Sequence, residues 1–95
     1  MVDTEPKTIL LVEDNPDDEK LTLRAMRQSE VPSIVVVAHD GAEALEYILG
    51  SKKLPSLIVL DLKLPKLSGL EVLQKVRENP RTRTLPVVVL SSSDE

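Results

Sequence analysis

Four short apolar runs constrain this chain more than any other feature: Ile9-Leu10-Leu11-Val12, Ile34-Val35-Val36-Val37-Ala38, Leu57-Ile58-Val59-Leu60 and Val87-Val88-Val89-Leu90. Unbroken aliphatic runs of this length, rich in Val and Ile, read as strands buried on both faces. Segments of helical period separate them, so the order is β-α-β-α-β-α-β. That order calls for a parallel sheet covered by helices, with right-handed crossovers.

The punctuation agrees. After the first run, Asn15-Pro16 supplies an N-cap followed by proline at the first helical position. Asp17, Asp18 and Glu19 then place negative charge at the positive end of the helix dipole. This helix is expected to run to about Ser29 and to end at Val31-Pro32. Asp40 and Glu43 have the spacing of a capping box, with Ala44, Leu45, Ile48 and Leu49 as an apolar stripe and Gly50 as a C′ residue. Ser68 and Glu71 form a second box, opening a helix with Leu70, Leu73 and Val76 as apolar positions. Asn79-Pro80 ends it, and Pro86 fits only at the start of the last strand.

Acids occupy the carboxyl ends of two strands. Glu13-Asp14 follow the first run and Asp61 ends the third. Open α/β sheets bind ligands at those ends. If the two strands are neighbours, three carboxylates converge, and like charges at that range repel unless a cation joins them. With no imidazole or thiolate nearby, a hard divalent ion is favoured, and a few carboxylates plus waters suit Mg²⁺ better than Ca²⁺. Ser91, at the end of the fourth strand, could bring a hydroxyl to the same cleft. A carboxylate nucleophile, a metal pocket and a hydroxyl fit an aspartyl-phosphate site.

Composition excludes much else. At 95 residues there is room for one small domain, read as residues 1–95 with 1–7 as an N-terminal tail. Tyr47 is the sole aromatic residue, so Val, Leu and Ile must build the core. The lack of cysteine rules out disulfides and thiolate chemistry. No apolar run is long enough to span a membrane, and a cytoplasmic protein is expected. Six bases and two acids fall within residues 63–83, but no aromatic residues interleave with them, so a nucleic-acid platform has no support. That stretch reads as a solvated face, with an acidic protein partner as the alternative. His39 reads as a surface loop residue, Glu43 and Glu71 as helix caps, and Tyr47 as partly buried packing.

Three segments, Ile9 to Asn15, Leu57 to Gly69 and Leu85 to Ser92, resemble the receiver domain of two-component response regulators. The wording is most similar to single-domain regulators paired with bacterial phytochromes. The resemblance implies a doubly wound, flavodoxin-like sheet of order 2-1-3-4. It implies Asp61 as phosphoacceptor, taking a phosphoryl group from a sensor histidine kinase or phosphotransfer protein. Asp14, Glu13, Asp61 and the Lys63 backbone carbonyl would hold Mg²⁺, and Ser91 would hydrogen-bond the phosphoryl group as a switch. Such a protein is not an enzyme beyond slow autodephosphorylation.

Receivers continue through a further α-β-α portion that carries a phosphoryl-binding lysine, and no lysine here matches it. The chain is therefore expected to be a receiver lacking that portion, with the fourth strand's outer edge bare. A homo-oligomer is expected, by edge pairing or by element exchange with a second copy that completes the sheet. Two other readings stand beside the phosphoacceptor. A phosphohydrolase would carry a second acid two residues after Asp61, where Lys63 stands. A non-signalling structural fragment, impaired in phosphorylation without the lysine, is the other.

Overall fold

The computed structural model describes residues 7–28, 33–50, 53–61 and 69–90. Four parallel strands, β1 (Lys7–Val12), β2 (Ser33–Ala38), β3 (Leu57–Asp61) and β4 (Val87–Leu90), alternate with α1 (Pro16–Arg27), α2 (Gly41–Gly50) and α3 (Gly69–Glu78). The sheet order is β2-β1-β3-β4, as expected. Leu10 faces Val36 on one side and Ile58 on the other, so β1 is central, and burial deepens along it toward its carboxyl end. Leu10, Leu11 and Val12 are fully buried.

The main core lies between the sheet and the α2–α3 layer. It joins Leu10, Val12, Ile58 and Leu60 to Ala44, Ile48, Val72 and Val76, with Tyr47 and Leu73 packed against it. Helix α3 is phased one step from expectation: Gly69, Val72 and Val76 are buried, whereas Leu70 is exposed. Positions i, i+3 and i+7 make one helical face, and Leu70 falls beside it. Leu49 of α2 is exposed as well.

Several boundaries differ from the sequence reading. Lys7 belongs to β1 rather than to a tail, because it pairs with Ser33. Helix α1 ends at Arg27 with Gln28 as its C-cap, and the expected end at Ser29 lies outside the described residues. Gly50 remains in α2 and is not left-handed, so it is not the expected C′ residue. The Asp40 carboxylate accepts the Glu43 N–H at 2.8 Å, but the Glu43 carboxylate accepts from the His39 N–H at 3.0 Å. The return bond of the box is thus displaced by one residue. Ser68 lies outside the described residues.

The α3–β4 connection is tied down from within. The buried Thr82 hydroxyl donates to the Val76 carbonyl at 2.6 Å, and Arg77 Nη1 donates to the Arg83 and Leu85 carbonyls at 2.7 and 2.8 Å. The Thr82 bond satisfies a carbonyl that the end of α3 leaves open, and the Arg77 bonds hold the loop that follows against the helix. The opposite face of the sheet is covered less completely: α1 has no buried residue. A groove of about 530 Å³ runs between Leu21, Thr22, Ala25 and Met26 of α1 and Leu57, Val59 and Val88 of the sheet. Strand β4 pairs only with β3 among the described residues, and Val88 and Val89 are 47% and 39% exposed.

Candidate functional site

Register decides where the acids meet. β1 and β3 are neighbours with Val12 opposite Leu60, so the residues that follow, Glu13 and Asp61, leave the sheet at one level. The Glu13 N–H donates to the Ala38 carbonyl at 2.9 Å, extending the ladder to β2 by one residue before the chain turns. Asp61 pairs with Leu90 across β3 and β4. Glu13, Asp14 and Asp61 consequently bring carboxylate oxygens within 4.8 Å of one another. Glu13 and Asp61 are buried, and Asp14 is exposed.

This arrangement is electrostatically costly. Burial is the largest influence on Glu13 and pushes its pKa up to about 7; the charge of Asp61, a hydrogen bond with its side chain and the charge of Asp18 add to the rise. The Asn15 N–H opposes the shift by donating to Glu13 Oε2 at 3.3 Å. Asn15 therefore acts in two directions. Its Oδ1 accepts the Asp17 and Asp18 N–H groups at 2.8 and 3.2 Å, capping α1, while its own N–H steadies a carboxylate of the pocket.

Three carboxylates this close, with Glu13 raised to about 7, suit a cation that displaces the Glu13 proton and joins the oxygens. The donor set is all oxygen, which matches a hard divalent ion such as Mg²⁺ or Mn²⁺. Lys63 and Ser91, the remaining expected site residues, lie outside the described residues. His39 stands near this end of the sheet, exposed, with Nε2 3.3 Å from Glu19 and Nδ1 3.4 Å from Glu43. It links the first turns of α1 and α2, which its position after a strand did not suggest. The influence of Asp18 on Glu13 was also not anticipated, although its place in the first turn of α1, beside the pocket, was a usable signal.

Comparison with known proteins agrees with this geometry. The response regulator receiver domain family model matches residues 9–95. Response regulator Rcp1 of Synechocystis is 38% identical over 93 residues, covering 93% of this chain, and the chain spans 63% of the length of Rcp1. The Mn²⁺-bound form of Rcp1 superposes with a TM-score of 0.87 at 37% identity, over 95% of this chain and 68% of that one. The bacteriophytochrome response regulator AtBRR gives a TM-score of 0.88 at 48% identity, over 94% of this chain and 69% of that one. The phosphorylated cyanobacterial phytochrome response regulator RcpA gives 0.87 at 43% identity, over 96% and 69%.

Proposed function

Because the chain belongs to the response regulator receiver domain family, we propose that Asp61 is its phosphoacceptor, taking a phosphoryl group from a phosphohistidine on a sensor kinase or phosphotransfer protein. The observation that carries this reading is the convergence of Glu13, Asp14 and Asp61 at the carboxyl end of two adjacent strands. Asp61 supplies the attacking carboxylate oxygen. Glu13 and Asp14, with Asp61 and the Lys63 carbonyl, would hold Mg²⁺, which when bound offsets the charge of the phosphoryl oxygens. Ser91 follows Leu90, the residue paired with Asp61, and this supports its role as the hydroxyl that reports phosphorylation. We read the chain as an acceptor in the cytoplasm rather than an enzyme that turns over external substrates.

Acetyl phosphate with Mg²⁺, followed by intact-mass measurement, tests this. The expected result is a gain of one phosphoryl group that Asp61→Asn abolishes. No gain, with divalent-ion binding retained, would leave the non-signalling structural reading instead.

We also propose that the 95-residue chain self-associates through β4. Its exposed Val88 and Val89 carry no gatekeeping charge, and Val88 adjoins the apolar groove beside α1. Val88→Lys should then lower the mass seen by light scattering.

A further inference from the structure

Each described helix has acidic residues in its first turn: Asp17, Asp18 and Glu19 in α1, Glu43 in α2 and Glu71 in α3. Helices α1 and α3 have bases in their last turns. One helix at a time, these charges answer the helix dipole and need no other explanation. The topology gives them a collective consequence. All four strands are parallel, so each connecting helix runs back against them. Every first turn therefore meets the carboxyl edge of the sheet, and every last turn meets the amino edge.

The carboxyl edge accordingly presents exposed Asp14, Asp17 and Asp18 around buried Glu13 and Asp61. Lys20 is the base that follows them in α1. At the amino edge, Lys75, Arg77, Arg81 and Arg83 are all exposed, and Glu78 is the acid among them. Arg77 and Arg83 donate to backbone carbonyls, bonds that orient the guanidiniums without cancelling their charge. The described molecule is thus polarised along its strands.

We propose that copies of this chain associate head to tail, the basic amino edge of one docking on the acidic carboxyl edge of the next. Charge complementarity selects a second copy as the partner, because each copy carries both surfaces at opposite ends. The contact is heterologous, so it extends as a chain of copies rather than closing as a pair. It is weak, because the formal net charge of −4 makes copies repel at long range. It also covers the mouth of the Glu13–Asp14–Asp61 pocket. The proposal uses a different surface from β4 and stands whether or not Asp61 is phosphorylated.

Sedimentation velocity of the 95-residue chain, without divalent ions, tests it. At about 0.01 M salt, where charges act over about 30 Å, mass should rise with protein concentration; at about 1 M, where the range is about 3 Å, the chain should return to smaller species. Lys75→Glu with Arg83→Glu weakens the basic edge and leaves the acidic edge intact, and Asp17→Lys with Asp18→Lys weakens the acidic edge and leaves the basic edge intact. Each double variant alone should lose the low-salt association, and a one-to-one mixture should regain it. Circular dichroism checks that both are folded. Should a reversal unfold the chain, the neutral pairs Lys75→Gln with Arg83→Gln and Asp17→Asn with Asp18→Asn replace it, with loss of low-salt association expected. The proposal is overturned if the wild-type chain does not associate further at low salt. It is equally overturned if association is unchanged by salt and by both variants, or if the mixture behaves as its components.

Discussion

Replacing Glu13 by glutamine should make the metal-free protein more stable at pH 8 and leave it nearly unchanged at pH 4.5. Glu13 is 3% exposed, and burial first, then Asp61, raises its pKa from 4.5 to about 7. The native state therefore holds this proton more tightly than the unfolded chain does. Between the two values the native protein binds more protons, so stability falls as pH rises and levels off above the native pKa. The rise from 4.5 to about 7 corresponds to about 3 kcal/mol, at about 1.4 kcal/mol for each tenfold change in proton affinity. That figure is an upper bound, since the pocket can relax and admit water as Glu13 ionises. Glutamine keeps the shape and can still donate to Asp61, but cannot ionise. Urea unfolding followed by circular dichroism, in chelator at pH 4.5 and 8, measures the effect. A gain of about 2 kcal/mol at pH 8, with less than about 0.5 kcal/mol at pH 4.5, is expected from this linkage. A Glu13→Gln variant less stable than wild type at pH 8, or equally offset at both pH values, would refute the reasoning.

Three further outcomes follow from the same structure. Divalent-ion affinity, measured by calorimetry, should rise about tenfold between pH 6 and pH 8, because an ion must displace the Glu13 proton. Thr82→Val keeps the side-chain shape but leaves the Val76 carbonyl without its 2.6 Å donor, and should cost about 1–3 kcal/mol in denaturant unfolding. Asn15→Ala removes the cap of α1 and should lower stability by about 1 kcal/mol. That variant retains the backbone N–H to Glu13 and should therefore leave much of the pH dependence intact.

Much of the fold was legible in local pattern. The four aliphatic runs and the Asn15-Pro16, Asp40 and Asn79-Pro80 signals located strands and helices to within a residue or two. Their alternation implied parallel strands, since only a parallel sheet with covering helices buries such runs on both faces. The three carboxylates of the site were legible for the same reason: a strand's carboxyl end is a position that sequence order defines.

Tertiary structure decided what order along the chain does not encode. The β1–β3 adjacency turned two separate strand ends into one pocket, and burial there raised the Glu13 pKa. No local pattern distinguished exposed Leu70 from buried Val72, because the phase of a helix is set by what it packs against. The Arg77 and Thr82 bonds joined the end of α3 to the loop before β4, where the sequence showed only a run of charge. Residue types and periods named the elements, but desolvation, charge coupling and the polarity of the whole molecule arose only when those elements shared one sheet.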